Sequence, residues 1–130
     1  MTKYVLDHSA ITAVLRREPG HEKILPHLFG SMVSALTIAE LLTTAASNGA
    51  DLETSFESLK RLKLEIVAFT DAHAVRLANL VNSPKTSTLS QSELFVICLA
   101  MEKKATIVTT NRVLSSMALP VKIKQFGPRF

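Results

Sequence analysis

The 130-residue chain has one cysteine, no tryptophan, a single tyrosine and only four glycines, and each shortage closes off a class of function. A lone Cys98 can build neither an intramolecular disulfide nor a cysteine-based zinc centre, which suits a reducing compartment. One Tyr and six Phe offer little for the aromatic platforms that stack single-stranded bases. No glycine-rich phosphate loop is present, and no G-x-S-x-G turn supports a serine hydrolase. The four histidines, His8, His21, His27 and His73, show no metal-ligand spacing such as H-x-x-x-H and read as structural or exposed. No apolar run approaches the roughly 18 residues that span a bilayer. Met1-Thr2-Lys3 leads straight into a strand-like segment with no signal-peptide apolar core, so a cytoplasmic protein without a membrane partner is expected.

What the chain does contain describes a globular protein. Its 47% apolar and 20% charged residues lie far from the profile of disorder. A chain of this length buries roughly two-thirds of its unfolded surface, enough for a core without staples. One domain spanning residues 1–130 is expected. The net charge of +4 favours a polyanionic partner, held through phosphates.

Short β-rich runs alternate with longer helical patterns, the signature of βαβ units around a parallel sheet. Strands are expected at Tyr4 to Leu6, Met32 to Leu36, Leu64 to Phe69, Ala105 to Thr109 and Val121 to Phe126. In the last of these, Lys122 and Lys124 mark an edge strand. Helices are expected from Ser9 to Arg17, in a short stretch ending at Phe29-Gly30, from Thr37 to Asn48-Gly49, from Leu52 to Leu62, from Thr70 to Val81 and from Gln91 to Lys104. Phe56, Leu59 and Leu62 should pack the fourth of these on the sheet. The last carries Leu94, Phe95, Ile97, Cys98, Leu99 and Met101, a stripe too wide for a surface helix. Asn82 to Thr88 is polar and reads as a loop.

Ligands of open parallel sheets bind beyond the carboxyl ends of the strands, and the acids fall there. Asp7 ends the first strand, Glu40 is placed one turn into the helix opened by Thr37, Glu93 lies in the first turn of the central helix, and Asn111 follows the fourth strand. Thr37-x-x-Glu40 and Ser90-x-x-Glu93 also match the capping box, and Asp7 is a plausible cap, so each acid taken singly has a purely structural reading. Together they do not. Two unit charges 4 Å apart repel by roughly 4 kcal/mol at an effective dielectric of 20, so converging carboxylates call for a hard cation such as Mg²⁺ or Mn²⁺. Such a centre activates water and stabilises a leaving alkoxide, the chemistry of phosphodiester hydrolysis. Arg112, next to Asn111, is the best candidate for a phosphate contact. Cys98, inside an apolar stripe, reads as inert core.

The stretches Tyr4-Val5-Leu6-Asp7-His8-Ser9-Ala10, Val33-Ser34-Ala35-Leu36-Thr37-Ile38-Ala39-Glu40-Leu41, Leu89-Ser90-Gln91-Ser92-Glu93 and Ile107-Val108-Thr109-Thr110-Asn111-Arg112 resemble the PIN-domain ribonucleases, especially VapC-type toxins. The resemblance covers nearly the whole chain. It implies a three-layer α/β/α domain with a central parallel sheet of about five strands, and a Mg²⁺-dependent endoribonuclease acting on RNA. It also implies a homodimer neutralised by a VapB-type antitoxin. On this pattern Asp7, Glu40, Glu93 and Asn111 are the catalytic set and Asp7 and Glu93 ligate metal. Ser9 touches the metal shell or substrate, and Thr109 orients Asn111. Glu93 and Asn111 stand where the family more often has Asp, the first moving the charge by one methylene and the second removing it.

Two rival classes follow from those departures and from the fold. A catalytically degenerate PIN domain would bind RNA or a protein without cutting. A phospho-receiver domain would want an acid pair after the first strand and an Asp ending the third, where this chain has His8 and Thr70.

Overall fold

The computed structural model describes residues 3–84, 86 and 88–127. Five strands form one parallel sheet: β1 (Tyr4–Leu6), β2 (Met32–Ser34), β3 (Glu65–Val67), β4 (Thr106–Thr109) and β5 (Ile123–Gln125), in the order β3-β2-β1-β4-β5. The chain winds from β1 outward to β3, then returns to β4 on the other side of β1. The topological switch point therefore falls between β1 and β4, where crevices open in such sheets.

Helices α1 (His8–Leu15), α2 (Ala35–Ser47), α3 (Leu52–Lys60), α4 (Asp71–Val81), α5 (Gln91–Lys103) and α6 (Arg112–Ser116) cover the sheet. Side chains alternate across a strand, and here the alternation separates two cores. Val5, Met32 and Ile107 pack with Leu80 of α4 and with Leu94, Ile97 and Cys98 of α5. Leu6, Val33 and Val108 pack with Ala10, Ile11 and Val14 of α1, Ile38 of α2 and Leu59 of α3. This is the expected three-layer α/β/α arrangement. Helix α5 is its most buried helix, with Leu94, Val96, Ile97, Cys98, Leu99 and Ala100 all inside.

Several boundaries depart from the sequence reading, each for a local reason. Strand β2 stops at Ser34 instead of Leu36, because the Ser34 hydroxyl accepts from the Leu36 N–H and caps α2. Thr37 is thereby drawn inside the helix and buried, and no Thr37–Glu40 capping box forms. Glu40 lies in the second turn of α2, not the first. The stretch before Gly30 is two short 3-10 turns, His21–Lys23 and Leu25–His27, because Pro26 supplies no N–H to continue a helix. On α3 only Leu59 is buried. Phe56 stays at the surface with the Lys60 ammonium 5.3 Å from its ring centre. Strand β3 keeps three residues, with Ile66 46% exposed, and β5 forms the opposite edge as its lysines suggest. The five-residue α6, capped by Asn111, was not anticipated. Of the Asn82 to Thr88 loop, Lys85 and Ser87 lie outside the described residues, and Thr86 turns inward with its hydroxyl donating to the Leu80 carbonyl.

Candidate active site at the carboxyl edge of the sheet

Asp7 stands immediately past β1, and its N–H still donates to the Val108 carbonyl across the switch point (3.2 Å). It is the N-cap of α1: Oδ1 accepts from the Ala10 N–H at 2.9 Å and from the Ser9 hydroxyl at 2.7 Å. Oδ2 accepts from the Thr109 hydroxyl at the end of β4. Helix capping and site building are therefore one contact here, not competing explanations. Asp7 is only 5% exposed. Burial pushes its pKa up, against the downward pull of the Thr109, Ser9 and Ala10 hydrogen bonds and the nearby His8 imidazole.

Thr109 is the hub of this half of the site. Besides donating to Asp7, its hydroxyl oxygen accepts from the Asn111 backbone N–H at 2.9 Å, which ties down the chain at Asn111. Ser9 Oγ lies 3.1 Å from it and accepts from the Thr110 N–H at 3.0 Å. The Ser9 hydroxyl proton is directed at Asp7, which makes Ser9 a brace for the carboxylate.

From Thr109 the network passes to Glu93. The Asn111 amide nitrogen donates to Glu93 Oε2 at 3.0 Å, while its oxygen accepts from the Val113 N–H at 2.9 Å and caps α6. Glu93 Oε1 accepts from the Ser90 N–H and hydroxyl, and Ser90 Oγ accepts from the Glu93 N–H, a complete capping box at the start of α5. Both Glu93 oxygens are thus engaged with protein donors. Arg112 opens α6 and is exposed.

Glu40 is held differently. Its Oε2 accepts from the Ser92 hydroxyl, across from α2 to α5, while Oε1 is buried with no hydrogen-bond partner among the described residues. Burial raises the Glu40 pKa, offset in part by His8. Sequence alone does not single out Ser92, and it gives His8 no metal-ligand spacing. The only signals for them were a serine beside Glu93 that is not the cap, and a histidine beside Asp7.

The structure thus brings Asp7, Glu93 and Asn111 into one hydrogen-bonded chain through Thr109, with Glu40 tied to the residue next to Glu93. The donors are hard oxygens of the kind that suits Mg²⁺ or Mn²⁺, and the unpartnered Glu40 oxygen is an atom such a cation would satisfy. Among the described residues, no three His, Cys, Asp or Glu side chains stand together closely enough to hold an ion as they lie. The carboxylates are linked through hydroxyls and amides instead of meeting at a point. No helix among the described residues is long and apolar enough to cross a membrane.

A small parallel α/β domain with a buried aspartate at its switch point and further acids on the surrounding helices defines a class, and the comparisons give it a family. The PIN domain family model matches residues 4–119; the chain belongs to the PIN domain family. Among solved structures, it is similar to a DNA-bound VapBC from Salmonella typhimurium, at 18% identity over 96% of this chain and 98% of that one, with a TM-score of 0.77. It is also similar to FitAcB from Neisseria gonorrhoeae, at 24% identity over 92% and 95% and a TM-score of 0.72. VapC20 from Mycobacterium tuberculosis, described as a sarcin-ricin loop cleaving toxin, matches at 12% identity over 89% and 97% and a TM-score of 0.69. No curated protein matches the sequence significantly. At these identities the likeness establishes the fold.

Proposed function

We propose that the chain is a metal-dependent endoribonuclease of the VapC toxin type, neutralised by an antitoxin partner. The observation that carries this reading is Asp7: a carboxylate buried at the switch point, its pKa raised by burial, connected through Thr109 and Asn111 to Glu93. A buried carboxylate is costly when ionised, and a cation at the edge would offset that cost. Asp7, Glu40 and Glu93 would hold the ion. When bound, Mg²⁺ or Mn²⁺ supplies an activated water and a counter-charge for the leaving oxygen.

The chain's own residues do the rest. Thr109 and Ser9 fix the Asp7 carboxylate by donating to one oxygen each. Asn111 ties the α6 start to Glu93, and Arg112, directly after it, supplies a phosphate contact. The net charge of +4 draws a polyanion to the surface. The VapBC and FitAcB likenesses support a partner of the antitoxin kind, and a homodimer belongs to the same reading.

The test measures thermal stability with Mn²⁺ and cleavage of structured RNA with Mg²⁺, using Asp7→Asn as control. A ligand that binds only the folded state raises the melting temperature, so Mn²⁺ should stabilise the wild type and leave Asp7→Asn unmoved, with cleavage lost in the variant. An unchanged wild-type melting temperature at millimolar Mn²⁺ sinks the metal reading. A second reading, a degenerate PIN domain that binds without cutting, is favoured by the full occupation of Glu93 by its cap and by Asn111. It predicts RNA retention without any metal-dependent product.

A further inference from the structure

Glu40 and Ser92 lie 52 positions apart on different helices, and the bond between them has no local purpose. The start of α5 is already satisfied: Ser90 caps it and Glu93 closes the box, so the Ser92 hydroxyl is left over for another partner. Glu40 likewise has no capping duty, because α2 is capped by Ser34 and Glu40 sits in its second turn. With Oε2 held by Ser92 and Oε1 buried and unpartnered among the described residues, one hydroxyl fixes the carboxylate and so determines where the other oxygen is presented. His8, adjacent to Asp7, acts electrostatically on Asp7 and Glu40 alike, which places Glu40 in the same electrostatic neighbourhood as Asp7.

We propose that Ser92 is a positioning residue that holds Glu40 in place so that its unpartnered oxygen is offered to the divalent cation of the acidic edge; this rests on the metal-dependent reading above. Groups that orient metal-binding carboxylates are worth roughly ten- to a hundredfold in metal affinity. A plain structural tie between α2 and α5 would behave differently, since its loss would lower stability with and without metal by the same amount.

The experiment titrates Mn²⁺ calorimetrically into the full chain, comparing wild type, Ser92→Ala, Ser92→Thr, Glu40→Gln and the Ser92→Ala/Glu40→Gln double variant. Melting temperatures of the metal-free proteins are measured alongside. The expected result is a roughly tenfold weaker Mn²⁺ affinity in Ser92→Ala, little change in its metal-free melting temperature, and recovery of most of the affinity in Ser92→Thr. In the Glu40→Gln background, Ser92→Ala should weaken binding no further, because both act through one contact. Unchanged Mn²⁺ affinity in Ser92→Ala, or a loss that persists undiminished in the Glu40→Gln background, overturns the role of Ser92 and leaves the metal reading intact. A wild type that binds no Mn²⁺ overturns both. Should Ser92→Ala not fold, Ser92→Cys keeps the side-chain volume with a weaker donor and carries the same outcomes.

Discussion

The two halves of the acidic edge are built on different principles. On the Asp7 side, the carboxylate sits between two strands paired in register from Tyr4↔Thr106 to Leu6↔Val108, and three donors close around it. On the Glu40 side, the carboxylate rides on a helix and meets one hydroxyl from a second helix, with one oxygen left over. The strand-borne half is set by the sheet before any ligand arrives. The helix-borne half is set by a single side chain and retains capacity for a further partner. On the proposed function, such a site would keep one anchor rigid and leave another open to an ion.

The sharpest way to break this contrast is to remove the anchor. Asp7→Asn should abolish metal-dependent cleavage, a loss of about 10⁴-fold or more, equivalent to over ~5 kcal/mol of barrier, while circular dichroism stays native because Asn is also a good N-cap. Cleavage at the wild-type rate would mean that the edge is structural and the contrast is without function.

Next in size is Glu93→Gln. Glutamine also completes a capping box, so a residue that only caps should tolerate the change. On the proposed function the lost charge should lower the cleavage rate about a hundredfold, a cost of ~3 kcal/mol in the barrier, at nearly constant melting temperature. Single-turnover assays separate the two: a silent substitution returns Glu93 to the role of cap.

Stability, not rate, separates the halves at Thr109. Replacing Thr109 by Val removes a hydroxyl that serves Asp7 and the Asn111 N–H and leaves buried polar groups unmatched, which costs about 1–3 kcal/mol. Chemical denaturation reads this directly. Ser92→Ala, by contrast, should cost well under ~1 kcal/mol in the metal-free protein, since a single net hydrogen bond at a partly exposed site contributes little. Equal losses at the two positions would erase the distinction between strand-borne and helix-borne anchors.

How much of this was legible beforehand follows the same division. The strand positions and the place of Asp7 could be read because a parallel sheet demands apolar runs, and because the acid falls where the run ends; the strand order could not. Glu93 was legible as both a cap and a site residue, and the structure has it capping while also bonded to Asn111. Thr37 misled, because Ser34, three residues earlier, is an equally good N-cap and wins once β2 has only three residues to pair with β3. Ser92 was not legible, since nothing local distinguishes a serine with a partner 52 residues away from one facing solvent. The same holds for α6, whose five residues are too few to show a period.

The pH response sharpens the comparison further. Asp7 and Glu40 both have pKa values raised by burial, so between the ordinary carboxylate value and the raised one the folded state binds more protons than the unfolded state. Stability from these groups is therefore lost as pH rises through that window. Asp51 has the opposite sign, because its carboxylate accepts from Thr54 in the fold. Its contribution cancels when wild type is compared with Asp7→Asn. Without metal, the variant should gain in melting temperature relative to wild type as pH rises above about 4, and Mn²⁺ should narrow the gap by stabilising only the wild type. A gap that does not vary with pH means that Asp7 is not strained by its burial.

The last expected effect, at Asn111, changes sign with metal. Its amide nitrogen stands 3.0 Å from Glu93 Oε2, a position where a carboxylate oxygen would meet like charge. Asn111→Asp keeps the cap on the Val113 N–H, because Asp caps as well as Asn, so α6 should persist. The bare repulsion would be several kcal/mol at about 3 Å and an effective dielectric of 20. The site is partly solvent-exposed, so rotation and screening should reduce it to about 1 kcal/mol, a fall of a few degrees in the metal-free melting temperature. With metal the sign reverses: the amide that now satisfies Glu93 is gone, an extra charge faces the edge, and Mn²⁺ affinity and the cleavage rate at low Mg²⁺ should both rise. Side-by-side titrations of the two proteins must show both signs. Identical metal-free stability and identical metal dependence would mean that the Asn111–Glu93 bond carries no energetic weight, and that Glu93 is held by the α5 cap alone.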